Sequence, residues 1–440
     1  MLKIIRCRDP FFAVKKRADR FERVGNREKT VEALLSSVKN SKSISLAFAE
    51  ILFYDEESSV RLIEALEKSS CELLFFSKNG EFPSIIVQNA IFEEDLSSDG
   101  YFFDIIDKFT FSEEAKDLVK EQITGFSMSV CENILDKIGK MDEESALKYL
   151  ISEKQRALSG NNLLESIPVD GKLSDIGGLS DLKHWISTRR SNFSEKAREF
   201  GIPMPKGVLL LGVQGCGKSL SAKTIASIWN FPLIRLDFIN LFKKGHSAEE
   251  LLKEAVLQAE SFAPAILWID EIEKALTQES SSPEIRRIIG WLVTWMQEKK
   301  SSVFLAATAN RVSLLPPELL RKGRFDEIFF VDLPSAEERE EIFRIHLEKR
   351  GRKPADYDTK TLAKTTENWS GAEIEQVIVD ALINDFGKNR ELQQITLEEA
   401  ARRTVPLAVT YEENIKELRL WCRNRARNAS GMKKIESFFK

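Results

Sequence analysis

A glycine-rich loop at residues 212–219 constrains the fold of this 440-residue chain more than any other feature. Its sequence, GVQGCGKS, fits the phosphate-binding pattern G-x-x-x-x-G-K-[ST]. The glycines let backbone N–H groups curl around a diphosphate without Cβ clashes. The apolar stretch 207–211 predicts a buried strand before the loop, and residues 219–228 predict a helix whose N-terminus faces the phosphates. This context favours a nucleotide-binding loop over a chance glycine-rich turn.

Two side chains of the loop suit a nucleotide with a bound cation. Lys218 would reach the β- and γ-phosphates, and the Ser219 hydroxyl would be a ligand of Mg²⁺. We therefore expect ATP and Mg²⁺ as cofactors. The residues of this segment expected to hold them are Gly212, Val213, Gln214, Gly215, Cys216, Gly217, Lys218, Ser219 and Leu220.

The second half of the chain has the pattern of a parallel α/β sheet. Five apolar stretches predict strands, and helical stretches separate most of them. Active sites in such sheets form at the carboxyl ends of the strands. The five predicted strands are residues 207–211, 233–236, 265–269, 303–307 and 328–331.

Polar side chains follow the third and fourth predicted strands. Asp270 and Glu271 end the apolar run 265–269, as in a Walker B element. Asp270 would hold Mg²⁺, mostly through water, and Glu271 would act as general base on the attacking water. After the fourth strand, the Asn310 amide can orient that water. The alternatives are an acidic turn and an ordinary turn asparagine.

Two arginines precede the fifth predicted strand, in the segment LRKGRFD at residues 320–326. Guanidinium groups pair with phosphate oxygens and stabilise transition-state charge, so Arg321 and Arg324 suit an arginine finger. A solvated basic turn is the alternative, and the spacing alone favours it.

Taken together, these motifs resemble those of AAA-type ATPases. The resemblance rests on DIGGL at 175–179, GVQGCGKS, LWIDEIEKA, ATAN, LLRKGRFDE, IFRIH at 342–346 and WSGAEIE at 369–375. More closely, the chain resembles AAA proteins of cyanobacteria and algal plastids that are named after a hypothetical chloroplast reading frame, and their bacterial relatives. The shared sequence segments include AREFGIPMPKGVLLLG and VPLAVTYEENIKELRLW. The similarity is strong over about residues 170–425 and weak over the first 160.

The resemblance implies roles that the residues alone do not give. It implies that Asn310 is the residue called sensor 1, and that Arg321 and Arg324 act on the nucleotide of a neighbouring subunit. It also implies a ring, most often a hexamer in this class. The adenine pocket that it implies consists of Asp175, Ile176, Gly177, His346, Gly371 and Ala372.

We predict five parts along the chain. Residues 1–110 form a degenerate ATPase-like α/β domain, in which 25–30 faintly resembles a decayed phosphate loop and Asp55-Glu56 a carboxylate pair. Segment 125–135 can be aligned with 368–378, which suggests an internal duplication, with two chance amphipathic helices as the alternative. The other parts are a helical subdomain and linker at 111–170, the AAA α/β nucleotide-binding subdomain at 171–333, a helical lid at 334–407 and a basic helix and tail at 408–440.

The composition and charge of the chain indicate its compartment and the class of its partners. A net charge of −4 provides no general attraction to nucleic acid or anionic membranes. No apolar run reaches the length of a membrane span, and five separated cysteines without C-x-x-C are typical of reduced thiols in a cytoplasmic protein. The basic C-terminal stretch 415–440 predicts a short amphipathic helix docked on the ATPase with a frayed end. A nucleic-acid contact is possible there but not favoured.

One segment departs from the family pattern. Relatives have a longer loop after the second strand, with a tip that grips substrate in the pore. Residues 241–249, LFKKGHSAE, are short, with lysines where that tip would start. We therefore predict a Mg²⁺-dependent, ring-forming ATPase that remodels or regulates an unidentified protein partner and does not thread globular proteins. The alternatives are a slow-turnover regulatory scaffold gated by nucleotide and a nucleic-acid-associated ATPase.

Overall fold

The computed structural model divides the chain into two compact units, residues 1–150 and 151–440. The boundary falls inside one helix. This division does not decide the finer five-part division, which stays a prediction. The structure describes residues 2–6, 34–35, 38, 43–47, 56–69, 71–77, 90–94, 97–126, 128–158, 163–169, 171–237, 240–242, 247–277 and 283–431.

The described part of the first unit contains a four-stranded parallel sheet and helices. The sheet has the order β2-β3-β1-β4. Leu62 and Leu66 pack with Leu73 and Phe75 because these apolar residues lie on one face of a helix and one face of a strand. The strands are β1 Leu2–Arg6, β2 Ser43–Ala47, β3 Glu72–Ser77 and β4 Ala90–Glu94, with helices α1 Glu56–Glu67 and α2 Ser97–Ile106.

Three further helices follow, α3 Glu113–Gln122, α4 Met128–Ile138 and α5 Glu143–Leu158. The hydroxyl of Ser112 accepts a hydrogen bond from the Ala115 N–H at 3.3 Å and caps the start of α3. Strand β5 Leu164–Ile167 lies within 111–170, where the sequence predicts only helices and a linker. The decayed loop at 25–30 and Asp55 lie outside the described residues, and only the backbone of Glu56 is described.

The second unit is built on a seven-stranded sheet of order β11-β10-β6-β9-β8-β7-β5. The five central strands are parallel and confirm the predicted sheet. The sequence did not indicate the two edge strands, β5, which runs antiparallel to β7, and the two-residue β11. The remaining strands are β6 Gly207–Gly212, β7 Leu233–Leu236, β8 Ala265–Ile269, β9 Val303–Ala309 and β10 Glu327–Val331, with β11 at Arg427–Asn428.

Helices cover both faces of this sheet because its strands are apolar on both sides. Leu209 and Leu211 of β6 join one buried cluster, and Val208 and Leu210 join the other. The helices up to the end of β9 are α6 Ser180–Arg189, α7 Glu195–Glu199, α8 Lys218–Trp229, α9 Ala248–Ser261, α10 Ile272–Thr277 and α11 Pro283–Glu298.

A four-helix subdomain follows β10 and has its own core around Phe343, Trp369 and Ile374. Ser335 and Ser370 start two of its helices with reciprocal capping boxes, which fixes where these helices begin. The helices are α12 Ala336–Lys349, α13 Thr359–Thr365, α14 Gly371–Phe386 and α15 Gln394–Arg403.

The chain returns to the sheet through α16 Leu407–Thr410, α17 Glu412–Cys422 and β11. Leu418 and Cys422 are buried in the core of the sheet, so this helix is docked as predicted. The last basic residues, Lys433, Lys434 and Lys440, lie outside the described residues. Among the described helices, none combines the length and the apolar character that a membrane crossing requires.

Candidate active site

The glycine-rich loop connects β6 to α8 at the carboxyl end of the central strand. Gly215 and Gly217 have φ angles of 77° and 94°, which residues with a Cβ rarely adopt. A Cβ at Gly217 would meet no atom of the described residues within 4 Å, so the described part of the chain leaves this side of the loop uncovered. At Gly215 a Cβ would lie 3.0 Å from the Ser370 Oγ. The loop is therefore uncovered on one side and closely approached by the four-helix subdomain on the other.

Lys218 lies inside the loop with 6% of its surface exposed. Its Nζ donates hydrogen bonds to the carbonyl oxygens of Gly212, at 2.9 Å, and Val213, at 2.7 Å. Burial lowers the pKa of Lys218, and the neighbouring acidic groups oppose that shift. The predicted phosphate-binding lysine is therefore held at the loop by backbone carbonyls.

The ends of β8 and β9 meet the loop at Asp270. The Ser219 hydroxyl donates to Asp270 Oδ1 at 3.0 Å, and the Thr308 hydroxyl donates to the same oxygen at 2.6 Å. Hydroxyl and carboxylate oxygens are ligands that Mg²⁺ accepts, usually alongside several waters. These two predicted metal ligands are thus together and chemically suited to Mg²⁺. Sequence reasoning assigned no role to Thr308, although a buried hydroxyl in an apolar strand is a usable signal.

Glu271 and Asn310 also come together. The Asn310 side-chain amide donates to Glu271 Oε1 at 2.8 Å, and Lys274 forms an ion pair with Glu271 Oε2. Glu271 has a φ of 49°, in the left-handed region, and its N–H donates to the Thr308 hydroxyl at 2.8 Å. This strained position directs the carboxylate toward Asn310.

Glu273 is a residue of this network that the sequence did not reveal. Its Oε1 accepts a hydrogen bond from the backbone N–H of Asn310 at 2.8 Å. Only 4% of its surface is exposed, and burial raises the pKa of its carboxyl group. Asn310 is therefore fixed between two glutamates of the same acidic segment.

Arg321 and Arg324 lie far from the loop of their own chain. Lys206 Nζ donates to the Gly323 carbonyl at 2.8 Å, and Gly207 N donates to Asp326 at 3.0 Å, so this segment lies at the start of β6. The phosphate loop follows the end of β6, and at about 3.3 Å per residue the two ends are about 17 Å apart. Arg324 donates to the Val293 carbonyl at 3.3 Å, and Arg321 is exposed.

Of the six predicted adenine-pocket residues, Asp175, Gly177 and Gly371 lie beside α12, and His346 belongs to that helix. A Cβ at Gly177 would lie 2.4 Å from Ile342 Cγ1, and one at Gly371 would lie 3.7 Å from Ile342 Cδ1. Asp175 lies 3.9 Å from the Lys349 ammonium of the same helix. Ile176 is buried, and the Ala372 N–H donates to the Gly215 carbonyl at 3.0 Å.

His346 lies between Ile342 and Lys349 on that helix face, because residues at this spacing are neighbours. Burial lowers the pKa of His346, and Glu375, whose carboxylate is 3.5 Å from His346 Nδ1, partly opposes that shift. The lowered pKa favours the neutral ring at pH 7, and a neutral imidazole can stack on or hydrogen-bond to a neutral base.

The predicted pore segment is only partly described. Leu241 is buried, and Asn240–Phe242 form a 3-10 turn. Lys243 and the next three residues lie outside the described residues, as does the side chain of Phe242. That the short segment 241–249 does not thread a polypeptide, unlike longer pore loops, stays a prediction.

Comparisons with known proteins show which family the sequence resembles. The profile of the "ATPase family associated with various cellular activities (AAA)" matches residues 208–333. The "Uncharacterized AAA domain-containing protein ycf46" of Guillardia theta is 44% identical over 322 residues, which cover 71% of this chain and 63% of that protein. The protein of the same name from Pyropia yezoensis is 43% identical over 323 residues, covering 71% and 65%.

A more distant similarity extends to the proteasome-activating nucleotidase of Methanosarcina mazei, which is 32% identical over 260 residues. These residues cover 56% of this chain and 60% of the nucleotidase. In each of the three comparisons, the chain spans less than two thirds of the relative's length.

Proposed function

Because residues 208–333 form a domain of the AAA family, we propose that this protein is a Mg²⁺-dependent ATPase that works as a ring and acts on a protein partner. The observation that carries the proposal is the joining of three chain segments at one point. Ser219 contacts Asp270 at 3.0 Å, and Asn310 contacts Glu271 at 2.8 Å. A loop, an acidic pair and an amide at this spacing suit hydrolysis of a bound nucleotide.

Binding is the first task of the site. The loop N–H groups, the N-terminus of α8 and Lys218 would hold the phosphates, while Ser219 and Asp270 would hold Mg²⁺. Mg²⁺ supplies charge neutralisation on the phosphate oxygens when it is bound. The α12 face with His346 and the loop near Gly177 would hold the adenine.

Hydrolysis is the second task. Glu271 would accept a proton from the attacking water, and Asn310 would orient that water. In the arrangement described here, Asn310 and Lys274 occupy one oxygen of Glu271 each. Because a carboxylate oxygen can accept two hydrogen bonds, these contacts leave Glu271 able to accept a proton from the attacking water.

The lid would convert nucleotide binding into movement. The N-terminus of α14 is bonded to the phosphate loop through Ala372 and Gly215 at 3.0 Å. A nucleotide that changes the loop must therefore change this contact. Closure of the lid on binding and release after hydrolysis would transmit conformational work to a partner.

A ring would supply the arginine contact to the phosphates that a single chain lacks. Arg321 and Arg324 lie at the opposite end of β6 from the loop, so they cannot stabilise charge on their own chain's nucleotide. A neighbouring copy that presents these arginines to the loop would complete the site, as in a closed ring. A hexamer is the size we propose. The name of the proteasome-activating nucleotidases describes action on another protein assembly, which supports a protein partner here.

Two other functions differ from this one in measurable ways. A nucleotide-gated scaffold would bind ATP but show little sustained turnover. A nucleic-acid-associated ATPase would be stimulated by DNA or RNA, and the stimulation would weaken with salt.

Steady-state phosphate release by the purified chain tests the proposal. Turnover should require Mg²⁺, disappear on chelation, and be unaffected by DNA or RNA. The Lys218→Ala variant should lose most ATP binding. Its matched control is Lys364→Ala, because Lys364 is an exposed lysine on helix α13. ATP binding without sustained turnover would support the scaffold, and salt-sensitive stimulation would support the nucleic-acid alternative.

A further inference from the structure

A cavity of about 380 Å³ lies beside the catalytic acid of the proposed site, within the second unit. One side consists of Glu271, Glu273 and Asn310, the three residues that form the network at the ends of β8 and β9. The opposite side consists of the C-terminal residues Leu407, Tyr411, Asn414, Ile415 and Leu418. A segment more than a hundred residues away in sequence therefore faces the acid.

The cavity is suited to hold water. Glu273 Oε2 is buried and has no hydrogen-bond partner among the described residues. A buried carboxylate oxygen without a partner is costly, and ordered water is the usual remedy where space and polar groups allow. The amides of Asn310 and Asn414 also line the space, and Asn414 is exposed, so the cavity connects with solvent.

Two anchors hold the C-terminal side in place. The Leu407 N–H donates to Glu373 Oε1 of the lid at 2.6 Å. At the other end, the Arg419 guanidinium forms a bidentate contact with the Asp332 carboxylate at 2.9 to 3.1 Å, just after β10. Asp332 is only 9% exposed, so the pair is largely withdrawn from solvent. Bidentate pairs of this kind fix orientation as well as distance.

Apolar packing completes the docking. Ile415 packs against Val213 of the phosphate loop and Leu333, while Leu418 and Cys422 enter the core of the sheet. The C-terminal helix α17 thus touches the loop, the sheet and the cavity at once.

We propose that this cavity is the water port of the hydrolysis site, bordered by residues 407–418 and held in shape by the Arg419–Asp332 pair. Asn414 is a positioning residue that orders water on its way to Glu271. This inference rests on the proposed ATPase function. It predicts that the Asn414 side chain affects the hydrolytic step and leaves nucleotide affinity almost unchanged.

Three substitutions test the port. Asn414→Leu replaces the polar amide with an apolar side chain of similar size, and Asn414→Ser places a hydroxyl there. Arg419→Gln breaks the anchor. Leu420→Ser is the control, because Leu420 belongs to the same helix and is 67% exposed. Each variant is assayed in the full chain for kcat, for Kd of ATP and for alkylation of Cys422.

Cys422 reports whether the helix is docked. It is 2% exposed, and burial raises the pKa of its thiol to about 12. A docked Cys422 therefore reacts slowly with iodoacetamide at pH 8, and an undocked one reacts faster. Peptide mapping by mass spectrometry separates it from the other cysteines.

We expect Asn414→Leu to lower kcat about tenfold, the effect of losing one hydrogen bond in the reacting state, with Cys422 still protected and Kd unchanged. Asn414→Ser should recover most of the turnover. Arg419→Gln should lower kcat and expose Cys422, and Leu420→Ser should match the unchanged protein.

Wild-type kcat in Asn414→Leu, or in Arg419→Gln with Cys422 exposed, would overturn the water port while leaving the ATPase function intact. In Asn414→Leu, a loss of ATP affinity equal to the loss of kcat would overturn it too, because Asn414 would then act on binding. Absence of turnover in the unchanged chain would instead refute the proposed function on which the port rests.

Discussion

Asn310 is bonded to Glu271 by its side-chain amide and to Glu273 by its backbone N–H, each at 2.8 Å. The residue after β9 is therefore fixed by two carboxylates from the segment after β8. Because both contacts depend on the parallel pairing of β8 with β9, the sheet itself sets the geometry of the proposed catalytic pair. A change in the position of Asn310 must change the position of Glu271.

The placement of Arg324 predicts catalysis between subunits. Arg324→Ala should lower turnover by about a thousandfold, the lower range for an arginine finger. Lys218→Ala should lose most ATP binding. When the two inactive variants are mixed, some interfaces combine an intact loop with an intact arginine, so turnover should return in part. Phosphate release is measured across mixing ratios and protein concentrations.

The mixing experiment can also show that Arg324 does not act on a neighbouring subunit. Full turnover per chain in a sample shown to be monomeric by light scattering would contradict action in trans. Arg344→Ala serves as the control, because Arg344 is an exposed arginine on the lid helix α12.

The first unit is predicted to bind no nucleotide. Its only candidate loop, at 25–30, has Glu28 where the second glycine belongs, and a carboxylate repels phosphate. An equilibrium titration of the full chain should therefore show one ATP site, and Lys218→Ala should abolish it. Saturable binding of a second ATP that survives Lys218→Ala would show a working site elsewhere.

Glu273 should make stability depend on pH. Burial raises the pKa of its carboxyl group, so the folded protein binds this proton more tightly than the unfolded chain. The protonated group's contribution to stability is fully present below its ordinary pKa of 4.5 and is lost as pH rises through the raised pKa. Glu273→Gln should therefore raise Tm at pH 8 and change it little at pH 4.

Calorimetry at the two pH values provides this measurement. Glu318→Gln, at an exposed glutamate, is the control and should leave Tm unchanged at both. A fall in Tm at pH 8 for Glu273→Gln would mean that the ionised carboxylate is the stabilising form.

The short segment 241–249 predicts that folded proteins are not threaded. Gripping an extended chain requires apolar or aromatic side chains at a pore. Lysines at this position would instead attract acidic segments, and that attraction would weaken as the salt concentration rises. Incubation with ATP and a fluorescent domain carrying a neutral unstructured tag should leave the fluorescence unchanged. ATP-dependent loss of fluorescence that Phe242→Ala abolishes would reveal threading.

Much of the site could be predicted from the sequence because its residues occur in contiguous motifs. The loop at 212–219 and the acidic pair after 265–269 follow strands whose apolar character is continuous, and buried parallel strands require that pattern. The five central strands were predictable for the same reason.

The parts that the sequence did not reveal depend on tertiary contacts. β5 reads LESI, with polar residues that an edge strand tolerates, and β11 has only two residues, too few for any periodicity. Glu273 gains its role only when the chain folds it against the backbone of Asn310. The cavity wall from the C-terminal segment likewise exists only after α17 docks.

The most direct test of the proposed site compares ATP binding and hydrolysis in Glu271→Gln. The substitution keeps the size and the contact with Asn310 but removes the proton acceptor, so Kd for ATP should stay within about threefold while turnover falls about a hundredfold or more. Binding is measured by titration with a fluorescent ATP analogue, and hydrolysis by phosphate release from the same preparation. Retained binding with lost turnover is the predicted result, and turnover near that of the unchanged protein would contradict the assignment of Glu271 as the base.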